Sequence, residues 1–265
     1  MTASSTPDSS PQSTVPGPPT GAAASTPVSA PLRAADFARS PDEVAPLLVG
    51  STLRRGRVAV VLTEVEAYLG DLDPASHAHR GPTPRCRTMF GPPLHLYVYA
   101  SYGIHRAGNI VCWPSGRGGG VLLRAGRVVE GVDDVRLRRG WREVPGEPEG
   151  RPVAVNLARG PGNLGAALGL DLDLDGSPVA LGTDGAGAGG ADGDDPTGTG
   201  GTGGDHPTGA GGTGADDGFT LIPRTGDVEV VSGPRIGISK NREAPLRFWI
   251  PGDPTVTTPR GRPRR

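Results

Sequence analysis

"GRVAVVLTEVEAYLG", residues 56 to 70, decides how the fold is read. Val58, Val60, Val61, Thr63 and Val65 are β-branched, which suits a pleated strand and disfavours a helix. Residues i and i+2 of a strand share a face, so Glu64, Glu66 and Tyr68 point one way. Val65, Ala67 and Leu69 point the other way, toward a core, and Gly70 ends the run. Two carboxylates and a phenol on one face are costly to bury unless each polar group finds a partner. Two readings are open at this point. The acids pair with arginines on a solvated face, or they belong to a site.

Outward from that strand, "ADFARSPDEVAPLLVG" (residues 35 to 50) predicts a helix, with Ser40 as N-cap, acids in the first turn and Gly50 closing it. "LHLYVYASYG", "NIVCW", "GGVLLRAGRVV" and "RPVAVNLA" read as strands separated by Gly, Pro and Ser turns. "NLGAALGL" reads as a short helix, and "DVEVVSGPRIGIS" and "PLRFWIPG" as two later strands. Many strands, few long helices and no βα alternation predict an α+β class: one domain around a mostly antiparallel or mixed sheet with flanking helices.

The chain carries 44 Gly and 29 Pro in 265 residues, concentrated where no core can form. Residues 1–34 are small, polar and Pro-rich, the signature of a disordered tail. They lack the basic and apolar regions of a signal peptide. Residues 183–218 hold fifteen Gly and seven Asp with no Lys or Arg, and lack the spacing of calcium-binding nonapeptides. They read as a flexible acidic insertion, and deleting residues 184–217 is expected to leave fold and activity intact. Residues 259–265 form a basic tail. The domain itself is therefore expected over 35–258, interrupted at 183–218.

Charge changes meaning on this division. The whole chain has 27 basic and 28 acidic residues, for −1. The insertion carries seven acids, and residues 1–34 carry Asp8 and Arg33, so the remainder holds 26 basic and 20 acidic residues, +6. All but one of the basic residues are Arg, the side chain that grips phosphate bidentately. A polyanionic partner is compatible with that balance. Cys86 and Cys112 form neither a disulfide framework nor a C-x-x-C pair. No run of 18 apolar residues suggests a membrane span. A soluble cytoplasmic protein is expected.

All four tyrosines, Tyr68, Tyr97, Tyr99 and Tyr102, fall within 35 residues, together with His77. Rings with polar handles concentrated in this way favour a stacking pocket for a flat ligand over an ordinary hairpin. His77 and His79 form H-A-H with Cys86 following, but no H-x-E with P-C-x-x-C and no H-E-x-x-H is present. No metal is expected. "GRGGG" precedes a strand and not a helix, so it does not form a usual phosphate cradle.

The stretch "EVEAYLGDLDPASHAHRGPTPRCRTMFGPPLHLYVYASYGIHRAGNIV" resembles the alkyladenine (3-methyladenine) DNA glycosylase family. The similarity resumes in "VLLRAG", "LARGPGNLGAALGL" and "GPRIGISKNREAPLRFWIPGDPTVT". The resemblance implies an enzyme that removes alkylated or deaminated purines from double-stranded DNA, with no cofactor and no covalent intermediate, as a monomer. It implies that Glu66 is the base activating water. Tyr68, His77 and Tyr99 would stack on the extruded base, with Asn109 as the pocket residue that discriminates against guanine. Tyr102 would intercalate in the gap left in the duplex, and Arg124 would hold the nucleotide's phosphate. The family pattern has Asn where Cys86 stands and an apolar or aromatic residue where Arg106 stands, and Arg106 is expected to add a phosphate contact. Two other readings stay open: a binding module without catalysis, and a hydrolase of free nucleosides or glycosides using Glu64 and Glu66 as paired acids.

Overall fold

The computed structural model describes residues 32–140, 153–183 and 217–258, together with the short strand Ala23–Ala24. Most of the expected tail and insertion, and all of the basic C-terminal tail, lie outside the described residues. In chain order the strands are β1 (Ala23–Ala24), β2 (Thr52–Arg55), β3 (Val58–Tyr68), β4 (Leu96–Ser101), β5 (His105–Val111), β6 (Gly120–Glu130), β7 (Ala158–Arg159), β8 (Val179–Leu181), β9 (Phe219–Ile222), β10 (Val230–Gly233) and β11 (Arg247–Trp249). The α-helices are α1 (Pro41–Leu48), α2 (Val132–Arg138), α3 (Val153–Asn156) and α4 (Pro161–Ala167).

The class is α+β, on one mixed sheet. Every pairing in it is antiparallel except that of β8 with β9. The long strand β3 is its spine, pairing with β2, β6 and β11. One face of β3 is core. Val65 and Ala67 are fully buried and join a cluster with Val44 and Leu48 of α1 and Leu123 of β6. Helix α1 starts as its sequence predicts: Ser40 is the N-cap, and Glu43 closes a capping box by accepting the Ser40 backbone N–H. Gly50 follows its end at φ +87°, a conformation natural for glycine.

Register builds the other face into a site. Directly paired residues lie on the same side of a sheet. Arg247 of β11 pairs with Glu66 of β3, Glu66 with Leu122 of β6, Leu122 with Asn109 of β5, and Asn109 with Tyr97 of β4. This single row crosses five strands, and the i+2 neighbours Tyr68, Arg124 and Tyr99 share its face. The pairing of β3 with β6 is irregular on either side of Glu64.

One reading is corrected, and two features are added to the others. "RPVAVNLA" holds the helical turn α3 before the two-residue β7, because its β-branched valines mimic a strand locally. "STLRR" and "FTLI" form β2 and β9, which pair with each other. The glycines of "GRGGG" serve close packing: a Cβ on Gly118 would stand 2.6 Å from the Phe90 ring, and one on Gly119 2.6 Å from the Trp113 ring.

Candidate active site

The polar face of β3 is not solvated. Glu64 and Glu66 are both fully buried. Burial on this scale requires partners, and arginines supply them. Arg124 Nε donates to Glu64 Oε1 at 3.1 Å, and Arg124 Nη1 lies 3.3 Å from Glu66 Oε1. Arg247 Nη1 donates to Glu64 Oε1 at 2.9 Å, while Thr257 gives Glu64 its backbone N–H and its hydroxyl. Glu64 is thereby saturated.

Glu66 has a lighter set of partners. The Ile236 N–H donates to its Oε1 at 2.8 Å, and the Tyr68 hydroxyl donates to its Oε2 at 3.0 Å. Burial pushes its carboxyl above the ordinary value, against the Arg124 charge and the Ile236 and Tyr68 hydrogen bonds, while the neighbouring Glu64 adds to the rise. Tyr68 is held well above the normal phenol range, by burial first and then by the Glu66 charge. It remains a proton donor to Glu66.

Above this floor opens a cavity of about 370 Å³ lined by Tyr68, His77, Tyr97, Tyr99, Asn109 and Arg124, with Tyr102 and Arg85 among the residues that complete it. The volume is that of a small-molecule pocket. Tyr99 and Tyr97 stack at 5.5 Å, and the His77 ring stands edge-on to Tyr99 at 4.8 Å. His77 Nδ1 is 3.1 Å from the Tyr97 hydroxyl. Although His77 is exposed at the mouth, partial burial and the Arg85 charge hold its imidazole below the ordinary value, which favours the neutral ring. Asn109 is buried and donates from Nδ2 to the Tyr97 carbonyl at 3.4 Å, which fixes its amide in the wall.

Tyr102 sits at the tip of the β4–β5 hairpin. It and Gly103 both have positive φ, +50° and +73°, and Ile104 N–H closes the turn onto Ser101 O. The turn holds the Tyr102 side chain 88% exposed, an unusual state for a large ring.

All seven site residues expected from the sequence thus meet around one cavity, Glu66 beneath it and the other six in its lining. Several participants lacked a local signal. Ile236 contributes a backbone N–H, and Arg247 and Thr257 arrive from the distant C-terminal segment. The expected phosphate contact of Arg106 meets a different arrangement, since its Nε donates to Asp171 at 2.9 Å. Cys86 is buried beside Ala78, Met89 and Tyr97, with Sγ 3.1 Å from the Thr83 hydroxyl. His77 and His79 diverge, His79 bonding the Asp71 carbonyl. Among the described residues no group of three or more His, Cys, Asp or Glu side chains is placed to hold a metal. The paired-acid reading weakens on geometry, because Arg124, Arg247 and Thr257 take up both oxygens of Glu64.

Comparison with known proteins gives the class and then the family. A model of methylpurine-DNA glycosylase (MPG) matches residues 35–186. A Corynebacterium jeikeium (strain K411) protein is 56% identical over 227 residues, covering 86% of this chain and 92% of its own. A Cutibacterium acnes (strain DSM 16379 / KPA171202) protein is 48% identical over 219 residues, covering 82% and 95%. Both carry 3-methyladenine DNA glycosylase in their names. The class is that of the DNA glycosylases, hydrolases of N-glycosyl bonds that act in DNA repair. The chain belongs to the methylpurine-DNA glycosylase family.

Proposed function

We propose that this DNA glycosylase draws a damaged purine out of duplex DNA into the ring-lined cavity and hydrolyses its N-glycosidic bond by direct attack of water, leaving an abasic site. The observation that carries this reading is Glu66: a fully buried carboxylate with a raised pKa, held by Arg124, Tyr68 and the Ile236 N–H directly beneath the cavity.

A stacked base hides its glycosidic bond, so the nucleotide must be extruded, at about a few kcal/mol. Tyr68, His77 and Tyr99 recover part of that by stacking, about 1–3 kcal/mol per base. Exposed Tyr102 fills the vacated stack, as wedge residues of minor-groove proteins do. Arg124 lines the cavity while gripping both acids, so it meets the nucleotide from the acid's side and supports its phosphate. Asn109, fixed in the wall, excludes purines with an exocyclic group it cannot accommodate. Glu66 accepts the proton of the water attacking C1′.

The substrate class is alkylated purines, with 3-methyladenine suggested by the relatives' names, and deaminated purines as a second class. A cationic methylated purine stacks well on aromatic faces. It also leaves without protonation, because departure neutralises the ring. His77, favoured neutral, is a poor proton source for an uncharged lesion. The enzyme acts as a monomer in the cytoplasm, on DNA. It leaves the strand uncut, since Lys240, the only lysine, is exposed and outside the cavity lining. Among the described residues no helix is long and apolar enough to cross a membrane.

The test is base release from duplex oligonucleotides carrying a methylated purine or hypoxanthine, wild type beside Glu66→Gln, with abasic sites revealed by alkali. Release by wild type alone assigns the activity and the base together. Lesion-selective binding by wild type without release would make the protein a damage sensor and overturn the reading.

A further inference from the structure

Behind the cavity wall lies an ion pair that the catalytic scheme does not use. Arg235 grips Asp73 with both amino groups, Nη2 at 2.9 Å from Oδ1, and its side chain is fully buried. The two residues are 162 positions apart and join two separate pieces of the site. Asp73 accepts the Ala75 N–H at 3.1 Å and the Leu69 N–H at 3.4 Å, which shapes the loop from the end of β3 to His77. Asn241 adds a bond to Asp73 at 3.2 Å. Arg235 donates to the Ala67 carbonyl at 2.9 Å and lies 4.6 Å from the centre of the Tyr68 ring. The residue after it, Ile236, gives its N–H to Glu66, and Ile236, Gly237 and Ile238 line the cavity.

We propose that the Asp73–Arg235 pair is the positioning element of this active site, clamping the 236–238 wall and the His77 loop against Tyr68 so that the Ile236 N–H stays on Glu66. The inference rests on Glu66 being the base. Neither member acts on substrate. Arg235 is too buried to reach a phosphate, and Asp73 does not line the cavity. The clamp works through orientation. With Oε1 held by Ile236 and Arg124 and Oε2 by Tyr68, the Glu66 carboxylate cannot rotate, and displacement of about 1 Å in such a group costs roughly a hundredfold in rate. The charged and titratable groups around Glu66 are Tyr68 and Glu64 on β3, Arg124 on β6, Arg247 on β11 and Tyr99 on β4. The clamp variants alter none of these residues themselves, although Arg235 lies over the Tyr68 ring.

The experiment compares wild type, Glu66→Gln, Arg235→Lys and the double variant Asp73→Asn/Arg235→Met in single-turnover base release across pH. Lesion-DNA binding is followed by anisotropy. The double variant removes both charges, so no orphaned ion remains in the interior. Arg235→Lys keeps the charge and loses the two-pronged grip. The expected result is a tenfold to hundredfold lower rate at saturating enzyme in both clamp variants. The acid limb of the pH profile should also move up by about one unit, because Glu66 loses a donor that favours its charged form. Binding should change little. Folded fraction is measured at each pH and divided out of the rate, so that the midpoint reports Glu66 and not unfolding. Clamp variants with a wild-type midpoint, or with rates that fall only in step with the folded fraction, overturn the proposal. If Glu66→Gln itself turned over normally, the Glu66 reading would fail first, a distinct result.

Discussion

At the scale of single residues, the two acids of β3 do opposite work although they share a face. Glu64 is an electrostatic anchor between Arg124 and Arg247. Glu64→Gln strips the charge from that buried pair of arginines and should cost about 3–5 kcal/mol of stability, measured by urea unfolding. Glu66→Gln should instead leave the fold near wild type and lower the rate of base release by about 10²- to 10⁴-fold. The pH dependence separates its two effects. Because the folded pKa of Glu66 is raised above 4.5, its contribution to stability is present at low pH and is lost as pH rises through the raised value. Activity needs the ionised base and rises across the same window. Melting temperature and single-turnover rate should therefore move in opposite directions there, and the Glu66→Gln variant should lack that component of the melting curve. Asp73 behaves in the reverse sense. Burial raises its pKa, but the Arg235 and Asn241 hydrogen bonds, the Arg235 charge and the Ala75 N–H together bring it below 3.8, so its contribution is lost as pH falls through that lowered value. The sequence marks Glu66 and Tyr68 through their period-two spacing. It is silent on whether their face is wet, because the arginines that dry it lie 60 and 183 residues from Glu64.

At the scale of elements, the β4–β5 hairpin separates presentation from support. Its strands are tied by the Tyr97–Asn109 and Tyr99–Ala107 register, while its tip holds Tyr102 out in solvent. Tyr102→Ser removes nothing packed, so it should shift stability by no more than about 0.5 kcal/mol. It should weaken retention of the extruded base, read as a lower fluorescence change from a modified base beside the lesion. A normal extrusion equilibrium would count against the wedge role. The hairpin was legible because "YVYASYG" combines alternation with a turn glycine. The segment "RPVAVNLA" was not, since its β-branched residues favour a strand locally, whereas in the fold α3 is a helical turn lying against β6 and β7. The glycines before β6 were legible as no phosphate cradle, but what they do was not. Their use is steric: Gly70 faces the Gly118 carbonyl at a distance where a Cβ would stand 1.8 Å away, so backbone meets backbone where the β3 end joins the site. Gly118→Ala should destabilise by about 1–3 kcal/mol through overpacking against Phe90 and Ala78.

At the scale of the molecule, the site depends on sheet continuity across the acidic insertion. Composition alone suggested that residues 184–217 could be cut out whole. The topology argues otherwise, because β8 and β9 flank that stretch and pair in parallel, Val179 with Phe219 and Leu181 with Leu221. Parallel neighbours cannot be joined by a tight turn and need a crossover of about a dozen residues or more. Asp217, at the returning end, also accepts Arg55 at 3.2 Å, and Arg55 donates to the Leu168 and Gly169 carbonyls that follow α4. Two deletions follow from this. Replacing residues 184–216 with about twelve Gly/Ser residues keeps the crossover and should raise stability slightly, by about 1 kcal/mol, since loop closure depends only weakly on length. Joining Thr183 directly to Asp217 leaves too little chain to reverse and re-enter in parallel, so β8 must leave β9. That variant should melt well below wild type and lose activity with its fold, because β9 pairs with β2 and β2 with the spine β3 that carries Glu66. Thermal unfolding and base release of the two variants side by side check the argument. Equal stability of the direct fusion would show that the parallel pairing does not support the sheet, and that the insertion is joined to the domain without structural consequence.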